Sequence, residues 1–188
     1  MWTRQGPMRV EPKVNSETKH RLMREALIEA QRGMADGEVP IGCVIAYGPN
    51  AEIVARGYNR VNALGRKNAH AEIIAFEVSG GNPPKLPLDA KDAILISTSE
   101  PCVMCLGAAM ETGVARVLFG LAAPADKGTG RIKPPESPES TDPEIEGGIL
   151  AEESRALFER WLSENDETEQ ANFVRQLLKL TDGSGGGA

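Results

Sequence analysis

Residues 69–109 hold Ala69-His70-Ala71-Glu72 near one end and Glu100-Pro101-Cys102-Val103-Met104-Cys105 toward the other, with a loop and a strand between them. Two thiols three residues apart, a distant imidazole and a nearby carboxylate form an incomplete zinc cage with a base beside it. Zinc favours thiolate and imidazole donors, and a catalytic site keeps three of them so that water takes the fourth position. Cys102 and Cys105, at i and i+3, are expected on one side of a helix's first turn. The unpaired N–H groups and positive dipole end there stabilise thiolates. Pro101 suits the same turn because it lacks an N–H that would go unpaired. His70 also stands at a helix start, so two helix N-termini are expected to converge on one ion. Glu72, two residues further on, does not share His70's direction and is left to face the bound water. Zinc with two thiolates is formally neutral, so it acidifies that water less than a three-imidazole site does. A base has to carry the proton to the leaving group, a task worth roughly 10²–10⁴-fold in rate.

Other chemistries use parts of this pattern. A C-x-x-C pair alone also serves redox exchange, but the upstream Pro101 and the distant H-x-E would then be coincidental. A structural zinc site needs a fourth protein ligand, and the spare candidates are Cys43 and His20. Cys43 lies inside an apolar strand, where a buried inert thiol is the usual finding. His20 falls on the polar side of the first helix. The pattern favours a catalytic site.

Working outward, Asn15 or Ser16 caps a first helix whose Met23, Leu27, Ala30 and Met34 share one face, and Gly37 closes it. Ile41 to Tyr47 and Ile53 to Gly57 read as a hairpin around Gly48-Pro49-Asn50. A polar loop runs from Tyr58 to Asn68, and a helix from Ala69 to Gly80 carries Ile73, Ile74 and Phe76 inward. Three prolines exclude regular structure from Asn82 to Asp92. Ala93–Ser97 and Val114–Phe119 read as strands on either side of the C-x-x-C helix. Ala122 to Glu146 reads as loop, with an acidic, Pro-rich middle. Helices follow over Ala151–Leu162 and from a Thr168 cap, the last with Phe173, Leu177 and Leu178 on its face. Strands alternating with helices indicate an α/β layered domain. Its extent is residues 16–180, with a disordered lead-in over 1–15, the acidic loop at 132–145 and a flexible tail over 181–188.

The 188 residues suffice for one domain with a full core. No apolar run approaches the roughly 18 residues of a membrane helix, and the start lacks a signal-peptide layout. Three cysteines, two of them metal-spaced, point to a reducing cytoplasm. The net charge is −6, and residues 131–188, with 13 acidic and 6 basic side chains, carry −7. No basic stripe of the kind that grips a polyanion is visible.

The H-x-E…P-C-x-x-C pattern is the signature of zinc deaminases that act on nucleobases. The chain resembles the cytidine deaminase-like superfamily, most of all its branch of bacterial tRNA adenosine deaminases and related nucleobase deaminases. Besides the two metal motifs, the resemblance rests on Glu38-Val39-Pro40-Ile41-Gly42, Tyr58-Asn59-Arg60, Phe119-Gly120 and Glu146-Gly147-Gly148-Ile149-Leu150. It implies a mixed five-stranded sheet flanked by helices on both faces, a three-layer α/β/α arrangement assembled as a homodimer. It implies one zinc per chain on His70, Cys102 and Cys105, with Glu72 as the proton shuttle. Asn59 matches the family's ring-binding asparagine, and Ala71 and Ser99 complete the expected substrate contacts. Ser99 stands where the tRNA enzymes usually carry Leu, and resembles the guanine deaminases more. Val39-Pro40-Ile41-Gly42 leans the other way. The leading expectation is removal of an exocyclic amine from a free nucleobase or nucleoside, because the charge distribution disfavours a polyanion and the acidic loop would repel phosphate if it lies near the site mouth. The alternative is adenosine-to-inosine editing in a tRNA anticodon loop. A third is a non-catalytic zinc-binding subunit, against which the presence of Glu72 speaks. The same acidic loop reads either as a lid over the site or as a solvated insertion with no role.

Overall fold

In the computed structural model, residues 14–183 are described, except 89, 135, 138 and 139. The expected lead-in falls outside the described residues except for Val14 and Asn15, while the expected tail is described over 181–183, where the chain is still helical, and lies outside from 184 on. Asn15 opens the first helix, α1 (Ser16–Ala35), its side-chain oxygen accepting the Thr18 N–H at 2.8 Å. Such a cap is worth about 1 kcal/mol over alanine. Gly37, at φ +80°, lets the chain reverse out of α1.

The sheet contains β1 (Gly42–Tyr47), β2 (Glu52–Tyr58), β3 (Ile94–Ser99), β4 (Arg116–Leu121) and β5 (Glu144–Glu146), in the spatial order β2-β1-β3-β4-β5. β1 runs antiparallel to β2 and β3, while β3, β4 and β5 are mutually parallel. The sheet is therefore mixed and five-stranded, as the resemblance implies. Every residue of β3 is buried, as expected of a central strand covered on both faces.

Alternation along β1 divides the core. Val44 and Ala46 face α1 and Leu157 of α5 (Ala151–Glu164), with Ile94, Ile96 and Leu118 beside them. Cys43 and Ile45 face the other layer, with Ala71 and Ala75 of α3 (Ala71–Ser79) and Leu106 and Ala109 of α4 (Val103–Glu111). Two glycines let helices lie directly on strands. A Cβ at Gly42 would come within 2.1 Å of the Ala26 carbonyl oxygen in α1, and one at Gly57 within 2.4 Å of the Ala71 oxygen in α3. A third cluster joins α5 to the last helix, α6 (Glu169–Gly183), through Phe158, Trp161, Val174 and Leu177.

Besides small shifts at other element ends, four differences from the sequence reading bear on the architecture. β3 continues past Ser97 to Ser99, carrying polar side chains to its carboxyl end. The loop after β2 contains a single helical turn, α2 (Val61–Leu64). Helix α4 starts at Val103, so Pro101 precedes the N-cap instead of occupying the first turn. The segment taken as loop to Glu146 ends in β5, whose Glu-Ile-Glu has no strand signal of its own and is held by pairing with β4.

The acidic segment does not lie at the site mouth. Thr141 donates its N–H to the Met110 carbonyl at 3.0 Å and its hydroxyl to the Val114 carbonyl at 2.9 Å. Glu144 N–H then reaches Ala115 O at 2.9 Å, which places β5 beside the amino end of β4. The segment thus runs along α4 toward the sheet end opposite Ser99, and none of its described residues lines the cavity described below. Both the expected electrostatic repulsion at the mouth and the lid reading are corrected accordingly. Among the described residues, no helix is long and apolar enough to cross a membrane.

Candidate metal centre and substrate cavity

The site forms beyond the carboxyl end of β3, where ligands settle in open α/β sheets. Glu100 leaves the strand buried, and its carboxylate accepts the Ala123 N–H at 2.9 Å and the Thr129 hydroxyl. The loop so held packs on the start of α4. Gly128 donates to Pro101 O at 2.7 Å, and a Cβ at Gly128 would meet the Cys102 carbonyl oxygen at 2.7 Å. Backbone contacts therefore fix Cys102 before any metal is considered.

His70 is the N-cap of α3 and Cys102 the N-cap of α4. Both have extended backbones, and neither side chain bonds its own helix terminus. They turn toward each other instead. Cys102 Sγ lies 3.6 Å from His70 Nδ1, Cys105 Sγ lies 3.6 Å from the same atom, and the two sulfurs are 3.6 Å apart. Zinc bonds of about 2.3 Å to sulfur and 2.0–2.1 Å to nitrogen, at tetrahedral angles, require edges of roughly 3.8 Å between sulfurs and 3.6 Å from sulfur to nitrogen. The observed triangle is one face of that tetrahedron, so the donor set and its geometry fit zinc. Among the described residues this is the one group of three ligating side chains so arranged. Cys43 is fully buried elsewhere in the core and His20 is exposed on α1, so neither supplies a fourth ligand.

Protons tie the three donors together before metal binds. The Cys105 thiol bond, followed by the His70 bond, lowers the Cys102 pKa to about 4 against the effect of burial. The same S–H bond to Cys102, with burial, raises the Cys105 pKa. His70 is raised chiefly by its bond to Cys102, with burial opposing. Binding zinc expels these protons, so affinity is coupled to pH.

Glu72 is buried in the first turn of α3, where the helix dipole favours a carboxylate. Burial raises its pKa, partly offset by backbone hydrogen bonding, by His70 and by the Ser97 hydroxyl, which donates to Oε1 at 2.9 Å. A carboxyl raised toward neutrality is suited to accepting and returning a proton. Ser97 was not singled out from the sequence. The available signal was a polar Ser97-Thr98-Ser99 ending an otherwise apolar strand.

A cavity of about 270 Å³ opens onto His70, Glu72 and Cys102. Asn59 and Ser99, both buried, line it. Ala71 does not line it: this residue is completely buried against the sheet, within the core cluster. Val39 and Ile41 supply apolar wall. Asp126, its pKa raised by burial and by the neighbouring Cys102 charge, and Lys67 are further charged lining groups. Gln170 and Phe173 of α6 close another side, and Gln170 exchanges two hydrogen bonds with Asn62, at 2.7 and 3.2 Å. Sequence reasoning placed none of these last four residues at the site, because they come from loops and a helix with no chemical pattern of their own.

The profile of the cytidine and deoxycytidylate deaminase zinc-binding region matches residues 16–121. A tRNA-specific adenosine deaminase of Bacillus subtilis is 33% identical over 144 residues, covering 76% of this chain and 87% of that protein. The tRNA(Ile)-lysidine synthase of Deinococcus radiodurans is 34% identical over 142 residues, 74% of this chain, but the chain spans only 24% of that protein's length. A solved structure from a study of A-to-I editing by tRNA:A34 deaminases superposes with a TM-score of 0.60 at 27% identity, covering 73% of this chain and 98% of the other. The guanine deaminase of Nitrosomonas europaea gives a TM-score of 0.62 at 21% identity, over 77% and 84% of the two chains, and so shares the fold.

Proposed function

This chain belongs to the cytidine and deoxycytidylate deaminase zinc-binding family, and from that premise we propose that its substrate is adenosine in a tRNA anticodon loop. At the coarser level it is a zinc-dependent deaminase, a hydrolase of C–N bonds, with His70, Cys102 and Cys105 as the zinc triad. The substrate reading is carried by the Bacillus subtilis relative, which aligns over most of both chains and is named for that activity. The part of the charge argument for a free base that rested on the acidic loop falls away, since that segment lies at the far end of the sheet. Lys67, an exposed cation lining the cavity, supplies the charge sign a phosphate needs.

His70, Cys102 and Cys105 hold the metal. Bound zinc supplies the Lewis acidity that turns water into a nucleophile at neutral pH. A C–O bond forms at the amine-bearing ring carbon and the C–N bond breaks, releasing ammonia. Glu72 takes the water proton on a carboxylate oxygen and delivers it to the departing nitrogen. Ser97, bonded to Oε1, holds that carboxylate in place. Asn59 and Ser99 orient the ring, and Val39 and Ile41 exclude bulk water from it. Ala71, whose side chain points elsewhere, takes part through its backbone at most.

A second reading, a free nucleobase or nucleoside, is favoured by α6. Gln170 and Phe173 wall the cavity, and its volume of about 270 Å³ falls below the roughly 300–1,000 Å³ of sites for drug-sized ligands. The zinc-loaded protein separates the two. Inosine in transcribed tRNA without ammonia release from free guanine, cytosine or adenosine supports the first reading. The reverse pattern transfers the assignment to the second. A zinc-loaded protein inactive on all of them points to the non-catalytic subunit. The homodimer remains a proposal as well, checked by sedimentation.

A further inference from the structure

Glu38 has no part in the steps above, yet it is completely shielded from solvent directly behind the cavity wall. It lies in the connection from α1 to β1, with its own N–H bonded to Gly33 O at 2.9 Å. A buried carboxylate is costly unless hydrogen-bonded, and three donors converge on this one. Oε1 accepts the Ala63 N–H at 2.8 Å, and Oε2 accepts the Asn62 N–H at 3.2 Å and Asn59 Nδ2 at 3.3 Å.

The two backbone donors belong to the first turn of α2, whose N-cap, Arg60, makes no side-chain capping bond. Glu38 thus caps that turn from a distant part of the chain. The third donor fixes Asn59. Both carboxylate oxygens act as acceptors, so the asparagine must present its NH2 to Glu38, which turns Oδ1 away. The backbone at Asn59 is held as well, its N–H bonded to Ile41 O at 2.9 Å. Asn59 and Val61, on either side of this arrangement, both line the cavity.

We propose that Glu38 is a positioning residue for the deamination: it holds the Asn59 amide with Oδ1 toward the cavity, as an acceptor for an N–H of the bound base, and anchors α2 beside it. This rests on the reading of Asn59 as a substrate contact. Glu38→Gln keeps length and volume but sets an NH2 against at least one of the three donors, which breaks the joint hold on α2 and the Asn59 amide. One hydrogen bond to a bound ligand is worth about 1.4 kcal/mol, or tenfold.

The test uses zinc-loaded protein and whichever substrate the parent turns over. Glu38→Gln should keep one zinc per chain and raise KM about tenfold, with kcat changed less than about threefold, the mark of a lost binding contact. Asn59→Ala should raise KM, and the double variant should bind no worse than Asn59→Ala, because Glu38 acts through Asn59. An unchanged KM in Glu38→Gln, or losses that add in the double variant, overturns the positioning role. An unchanged KM in Asn59→Ala overturns instead the reading of Asn59 as a contact. Should Glu38→Gln not fold, the labelled parent carries the test. One Asn59 side-chain N–H should exchange more slowly than those of exposed asparagines such as Asn50, and equal rates overturn the proposal.

Discussion

The Ser97 hydroxyl on β3 donates to Glu72 Oε1 on α3 at 2.9 Å, and neither side chain is open to solvent. This bond stabilises the ionised carboxylate against the burial that raises its pKa. Ser97→Ala removes the lowering influence, so the Glu72 pKa should climb further. The shuttle needs an ionised Glu72, and the acid limb of the kcat/KM profile should therefore move to higher pH. On the acid side the variant should lose activity relative to the parent, with zinc content unchanged. An acid limb at the parent's position would exclude this role for the bond.

Glu72→Gln should cost roughly 10²–10⁴-fold in kcat, the usual contribution of a positioned proton carrier. Its effect on stability runs the other way. In zinc-free protein the folded-state pKa of Glu72 is raised, so between the unfolded and folded pKa values the native state binds more protons than the unfolded state. Stability then falls as pH rises through that window. The glutamine does not titrate, so zinc-free Glu72→Gln should melt above the parent at pH 8 and close to it at pH 4. Calorimetry at the two pH values gives the comparison.

Thiol labelling reads the metal site directly. With a pKa of about 4, Cys102 is a thiolate throughout the neutral range in zinc-free protein. Its alkylation rate should be nearly flat from pH 6 to pH 9, whereas an unfolded cysteine, with a pKa of about 8.5, speeds up across it. Burial and the Glu72 charge raise the Cys43 pKa, so Cys43 should stay unlabelled in the folded protein. Cys43→Ala should keep one zinc per chain. Loss of zinc from that variant would restore a fourth protein ligand and with it a structural site.

Gly57→Ala tests how the sheet sets the site. The added methyl would stand 2.4 Å from the Ala71 oxygen and 2.6 Å from the Ala75 nitrogen, so α3 must move off β2. Overpacking of this kind costs about 1–3 kcal/mol. Because His70 and Glu72 sit at the start of α3, the displacement should weaken zinc retention as well as lower the denaturation midpoint. A stability loss with unaltered zinc affinity would show that α3 moves without its first turn.

The metal chemistry was legible in the chain because its signals are local. His70-Ala71-Glu72 and Cys102-Val103-Met104-Cys105 each place their donors through the geometry of one helix start. The four long strands and the principal helices were likewise readable from apolar spacing and from glycine and proline stops. β5 was not, because three residues reading Glu-Ile-Glu become a strand only through the partner they meet.

Composition misled in one instructive respect. It located the acidic loop in the chain but not in space, and the hydrogen bonds from Thr141 to Met110 and Val114 carry that segment along α4 away from the cavity. What the sequence by itself determined was the donor set, the carboxylate beside it and the order of helices and strands, since these depend on neighbours a few residues apart. The tertiary structure alone decided that Ser97 reaches Glu72, that Glu38 grips Asn59, and that Gln170 and Phe173 close the cavity. Those pairings span tens of residues and arise from how the layers pack, which no local spacing encodes.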